Sequence, residues 1–213
     1  MQSIVFDLDE TLYPKGIGLL GKINERIVVY IQGKLNCPKE EAEKARVQLY
    51  QEYGSTVTGL MKKNLVDPLD YFSFITNIDI DVNKLLHENL ELKRILDSIE
   101  CRKYIFTNAI ESHAFNVINA LGLKGCFDGV YGQEFLEFGG KQNHSSFKKF
   151  ISATGIEPEK SAMVDDEKKS LVIAKDFGMK TVFVGGKAEE FDFCINRIEG
   201  IKEVWGKLNG MNT

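Results

Sequence analysis

Near its start the chain has an apolar run, Ile4-Val5-Phe6, that stops abruptly at Asp7-Leu8-Asp9-Glu10-Thr11. A short continuous run of branched and aromatic residues suits a strand buried on both faces of a parallel sheet. After Pro14 the texture changes. Leu20, Ile23, Ile27, Ile31 and Leu35 recur at spacings of three and four, which predicts an amphipathic helix. A second helix is expected from Pro38, which suits a first helical turn, through Ala42, Ala45 and Leu49 to a stop around Gly54. Shorter helices should follow, and Tyr71-Phe72-Ser73-Phe74-Ile75 is expected to pack inside them rather than to stack on a base. Residues 15–97 carry no convincing strand pattern, so a helical insertion is expected between the first and second strands.

Strand-like runs resume at Tyr104-Ile105-Phe106 and then alternate with helical periodicity. Ala114, Val117, Ile118 and Leu121 mark a helix ending at Gly122, a suitable left-handed cap, and Gly129-Val130-Tyr131 a short strand. Phe147, Phe150 and Ile151 mark a helix closed near Gly155, before the strand Ala162-Met163-Val164. A helix through Leu171, Ala174 and Phe177 ends at Gly178, the strand Thr181-Val182-Phe183-Val184 follows, and residues 201–208 should be helical. Such alternation is the pattern of βαβ units. The expected fold class is α/β: a three-layer Rossmann-like parallel-sheet core, residues 1–14 and 98–213, with a helical cap, residues 15–97, inserted after the first strand.

Composition narrows the classes of function. The chain has 213 residues, 43% hydrophobic and 27% charged, enough for one large domain or a domain with a sizeable insertion. A net charge of -4 with scattered Lys and Arg argues against a nucleic-acid partner. No stretch approaches the ~20 apolar residues of a membrane helix. Met1 leads straight into the first strand rather than into a signal peptide, so a cytoplasmic protein is expected. Cys37, Cys101, Cys126 and Cys194 lie far apart and are expected to be reduced, mostly buried thiols. His87, His113 and His144 have no second ligand at metal spacing and are expected at the surface or in local hydrogen bonds.

The chemistry sits where strands end. Asp7 and Asp9, Thr107 and Asn108, and Asp165 and Asp166 each follow an apolar run, and the carboxyl ends of parallel strands share one edge where ligands bind. Extended backbone would send Asp7 and Asp9 to the same side. Crowded carboxylates repel unless a cation offsets them, and a hard divalent ion such as Mg²⁺ prefers an all-oxygen surrounding. With Lys141, these groups suit a phosphate ester: one aspartate attacks phosphorus to form an aspartyl-phosphate, and another protonates the leaving alkoxide and then activates water. Mg²⁺ and lysine would offset the phosphoryl charge, and Thr107 and Asn108 can donate hydrogen bonds to its oxygens.

At these residues the chain resembles the haloacid dehalogenase-like hydrolase superfamily, with Asp7-Leu8-Asp9-Glu10-Thr11, Thr107-Asn108, Lys141 and Asp165-Asp166 matching its four motifs in order. The resemblance implies Asp7 as nucleophile and Asp9 as acid/base. It also implies Mg²⁺ held by Asp7, the Asp9 backbone carbonyl, and Asp166 with help from Asp165. A halide leaving group needs no proton, so the second aspartate favours a phosphatase over a dehalogenase. Tyr53-Gly54-Ser55-Thr56 with Gly59-Leu60, the run from Lys103 to Ala109 with His113-Ala114, and Leu121-Gly122-Leu123 resemble the pyrimidine 5'-nucleotidase group of yeast and plants. In two places the chain departs from that pattern: Gln142 follows the lysine in place of proline, and Ser170 replaces an asparagine. The expectation is a Mg²⁺-dependent phosphatase for a nucleoside 5'-monophosphate, pyrimidine in preference, with Tyr53, Ser55 and Thr56 touching base or ribose. The alternatives are a phosphatase for a sugar phosphate or another small metabolite ester, and a weakly active regulatory relative.

Overall fold

The computed structural model describes residues 1–76 and 82–210. Six parallel strands form one sheet in the order β3-β2-β1-β4-β5-β6: β1 (Ser3–Phe6), β2 (Arg102–Phe106), β3 (Gly129–Tyr131), β4 (Ser161–Asp165), β5 (Lys180–Val184) and β6 (Phe193–Ile195). β1 lies at the centre, Val5 opposite Tyr104 of β2 on one side and Met163 of β4 on the other. Its period-two alternation divides the core. Ile4 and Phe6 join the cluster under α6 (Leu90–Ser98), α7 (Glu111–Ala120) and α10 (Ile201–Gly210). Val5 joins the opposite cluster, under α8 (His144–Thr154) and α9 (Lys168–Asp176). Three layers result, a Rossmann-like α/β fold.

Between β1 and β2 run α1 (Leu19–Leu35), α2 (Lys39–Tyr53), α3 (Thr56–Lys62), α4 (Pro68–Thr76), α5 (Val82–Leu85) and α6. The first four share a third cluster, with Ile27, Ile31, Leu49, Leu60, Tyr71 and Phe72 buried in it. Leu92 and Leu96 of α6 instead pack into the sheet's own core. Tyr71-Phe72-Ser73-Phe74-Ile75 packs as expected, edge-on against Tyr30 at 5.2 Å. The stripe on α1 is only partly covered: Ile27 and Ile31 are buried, while Leu35 is 40% exposed at the helix C-terminus.

Residues 193–195 add an edge strand beside β5 that the sequence reading did not assign, being too short for periodicity to announce. One expectation needs correction. Of the four free cysteines only Cys126 is buried, since Cys37, Cys101 and Cys194 lie at partly exposed margins of their packing clusters. Among the described residues no helix is long and apolar enough to cross a membrane.

Candidate active site

The edge where β1, β2 and β4 end carries the polar residues singled out from the sequence. The Asp7 N–H still donates to the Val164 carbonyl at 2.9 Å, continuing the ladder one residue past β1. The chain then turns, with Glu10 left-handed at φ 60° and the Leu12 N–H returning to the Leu8 carbonyl at 2.9 Å. Asp7 and Asp9 thereby line the same cavity, each engaged with different partners.

Asp7 is 6% exposed and paired with Lys141, whose Nζ also donates to Asp165 Oδ2 at 2.9 Å and to the Phe106 carbonyl at 3.3 Å. An ammonium has three N–H donors, and this one spends them on the ends of three strands. Lys141 is itself 1% exposed, and its amine titrates well above the usual range: burial opposes the charge, but Asp165 and Asp7 together outweigh it. Burial pushes Asp7 well above the usual carboxylate range; Lys141 pulls it down, and Asp165 and Asp166 push it further up. Lys141 stays charged, and the cluster remains short of positive charge.

Oxygens of Asp7, Asp165 and Asp166 lie within 4.8 Å of one another. Three carboxylates against two ammoniums, Lys141 and Lys15, leave a formal excess of one negative charge, and the donors are all oxygen, so the set fits a hard divalent cation. Asp165 is buried and accepts the Glu167 N–H at 2.8 Å. Asp166 is half-buried and held by Thr11 at 3.1 Å and Lys15 at 2.8 Å.

The Asp9 carboxylate turns away from this cluster. Its Oδ1 accepts from the Tyr13 hydroxyl at 2.5 Å and lies 3.0 Å from His113 Nε2. Burial would raise the Asp9 carboxyl, but His113 and then Tyr13 outweigh it and hold it below the ordinary range. His113 moves the other way, above the usual imidazole value, because Asp9 overcomes the opposing effect of burial. His113, expected at the surface or in local hydrogen bonds, instead reaches a site aspartate 104 residues away. The available signal was its place in the first turn of α7, directly after the β2 strand end.

Thr107 is 1% exposed and accepts the Ala109 N–H at 3.1 Å, which leaves its hydroxyl hydrogen free to donate. Asn108 is largely committed to the lysine loop: its Oδ1 accepts the Lys141 N–H at 2.8 Å, and its Nδ2 donates to Gln142 Oε1 at 2.8 Å. Gln142 also donates to the Tyr50 hydroxyl at 3.4 Å, and Tyr50 donates to Glu167 at 2.9 Å. Gln142, the departure from the family pattern, thus ties α2 to the sheet edge. Gly54 makes this approach possible: its φ is +75°, and a Cβ there would stand 3.2 Å from Gln142 Cβ. At the other departure, the Ser170 Oγ is buried without a hydrogen-bond partner.

The cavity holds about 330 Å³ and reaches from Asp7, Thr107 and Lys141 to the helical wall, where Ser55 and Thr56 line it as expected. Tyr53 does not line it, contrary to expectation. Its ring covers Gly59, where a Cβ would come within 2.7 Å of Tyr53 Cδ2, so the tyrosine packs between α2 and α3. Tyr50, one helical turn earlier, lines the cavity in its place. Two other lysines shortly after Lys141 lie outside the cavity: Lys148 is exposed, and Lys149 pairs with Glu137 on the surface at 2.6 Å.

Comparison with known proteins agrees with this geometry. The chain is 26% identical to the glyceraldehyde 3-phosphate phosphatase of Methanocaldococcus jannaschii over 96% of each protein. It is 30% identical to phosphate metabolism protein 8 of Saccharomyces cerevisiae, across 59% of this chain but only 41% of the yeast protein. A haloacid dehalogenase-like phosphatase from Thermococcus onnurineus shares the fold with a TM-score of 0.63 and 18% identity, covering 97% of this chain and 98% of its own. Residues 4–184 match the family described as haloacid dehalogenase-like hydrolase, and the chain belongs to that family of hydrolases.

Proposed function

We propose that this hydrolase is a Mg²⁺-dependent phosphatase that cleaves a nucleoside 5'-monophosphate, pyrimidine in preference, through an aspartyl-phosphate. The observation that carries the reading is the division of labour at the edge. Asp7 faces Lys141 in a cluster short of positive charge, while Asp9 is held apart by His113 and Tyr13. In this reading Asp7 attacks phosphorus, and Lys141 holds the carboxylate in place and neutralises phosphoryl charge. His113, whose imidazole holds its proton more tightly beside Asp9, supplies the proton that Asp9 passes to the leaving alkoxide, and Asp9 then removes one from the attacking water. Thr107 donates to a phosphoryl oxygen, and Asn108 positions the lysine loop. Asp7, Asp165, Asp166 and the Asp9 backbone carbonyl would hold Mg²⁺, which when bound supplies charge neutralisation for the incoming phosphate. Of the expected cap, residues 15–97, α1 to α4 with their own core act as the cap while α6 belongs to the sheet layer, and Ser55 and Thr56 meet the ribose.

A second reading, a small sugar phosphate as substrate, draws support from the match to the archaeal glyceraldehyde 3-phosphate phosphatase. The two part in one experiment. Phosphate release with Mg²⁺ is measured for UMP, CMP, AMP, glyceraldehyde 3-phosphate and p-nitrophenyl phosphate, ranked by kcat/KM. UMP and CMP should lead; glyceraldehyde 3-phosphate in front would select the second reading.

A further inference from the structure

The helical end of the cavity carries polar groups that the fold leaves open. Arg46 of α2 lines it, and its one side-chain hydrogen bond among the described residues runs from Nη1 to Asn24 Oδ1 of α1 at 3.2 Å. Its Nε is buried without an acceptor, and no carboxylate pairs with this guanidinium among the described residues. Tyr71 of α4 also lines the cavity. It is 2% exposed, its ring is fixed edge-on to Tyr30, and its hydroxyl makes no hydrogen bond among the described residues. Arg46 lies near enough for its charge to act on that hydroxyl, against the upward push of burial.

The surrounding wall is apolar, with Ile27, Val57 and Ile75 among its residues. Donors left unpaired in such a wall are unfavourable, and an accepting ligand would satisfy them. Asn24 Oδ1 is already used, so donors predominate among the free groups, the N–H groups of Arg46 and Asn24 and the Tyr71 hydroxyl, and their complement is an acceptor. Charge selects the kind of acceptor. With Asp7 and Asp166 assigned to the metal, the cavity lining still carries Asp9, Glu10 and Glu167 beside Arg46 and His113, so a second anionic group on the substrate is disfavoured. A flat, neutral ring bearing carbonyl oxygens satisfies both conditions.

We propose that Asn24, Arg46 and Tyr71 form the base-reading end of the pocket and receive the carbonyl oxygens of a pyrimidine base. This rests on the nucleotide reading above and moves recognition from Tyr53 to three other helical positions. Adenine carries no carbonyl, so AMP is the natural contrast. Values of kcat/KM are measured for UMP, AMP, glyceraldehyde 3-phosphate and p-nitrophenyl phosphate with the wild type, Arg46→Met and Tyr71→Phe. Wild type should prefer UMP to AMP. The ratio of UMP to p-nitrophenyl phosphate should fall roughly 10- to 100-fold in Arg46→Met and roughly 2- to 10-fold in Tyr71→Phe. Preference for UMP with that ratio unchanged in both variants overturns the proposal alone. Preference for glyceraldehyde 3-phosphate over every nucleotide overturns the nucleotide reading and the proposal together. Tyr71→Phe loses one oxygen and keeps its ring packing, so it carries the test even if Arg46→Met fails to fold.

Discussion

The charged groups at the sheet edge are fully paired, whereas Arg46 and Tyr71 on the helical wall of the same cavity are not. At the edge, Lys141 has three acceptors, Asp9 two partners, and Asn108 holds both the backbone and the side chain of the lysine loop. On the wall, Arg46 has a neutral amide and Tyr71 no hydrogen bond among the described residues. Saturation preorganises charge where the same phosphoryl chemistry recurs at every turnover. Open donors suit the part of the pocket that distinguishes one ester from another. The link between the regions runs through Gln142, Tyr50 and Glu167, so helical wall and edge are held in register by a few hydrogen bonds.

The sharpest break in this contrast is at the edge. Asp7→Asn is nearly isosteric but cannot accept a phosphoryl group, and should lower turnover on the order of 10⁴-fold or more with a native-like melting transition. Phosphate release and circular dichroism check both halves. Chelation should abolish activity reversibly, and calcium, with its longer bonds and larger ligand number, should inhibit. Full activity in EDTA after prior metal removal would contradict that. Asp9→Asn should slow turnover by roughly 10²- to 10⁴-fold, with the larger losses for poor leaving groups, measured across a series of aryl and alkyl phosphates.

Smaller effects test how the edge is held and what the wall reads. Lys141→Met strips the cation from two buried carboxylates and should destabilise the metal-free protein by roughly 3–5 kcal/mol in denaturant unfolding. Lys148→Ala, on the exposed surface, should stay within about 0.5 kcal/mol. The smallest expected change is on the wall: Thr56→Val should lower kcat/KM for UMP by roughly 2- to 10-fold relative to p-nitrophenyl phosphate.

Legibility followed the same division. Edge residues could be read because each follows a short apolar run, and parallel topology brings run ends together whatever the loops between them do. The helical wall could not be read that way. Asn24, Arg46 and Tyr71 sit on three helices, and which face of each turns to the cavity depends on packing that no single periodicity encodes. Tyr53 illustrates this: it adjoins the turn that lines the pocket, yet Gly59 offers its ring a closer seat inside the helical core. His113 enters the sequence reading only as part of the family resemblance, because its partner Asp9 lies across the sheet edge and no neighbour in sequence pairs with it.

The central claim is that Asp7 becomes phosphorylated during turnover. Its most direct test is the stereochemical course at phosphorus, using an isotopically chiral phosphorothioate ester hydrolysed in isotopically labelled water. Two successive displacements, first by Asp7 and then by water, invert twice and predict overall retention. Net inversion would mean that water attacks the ester directly and would contradict the account.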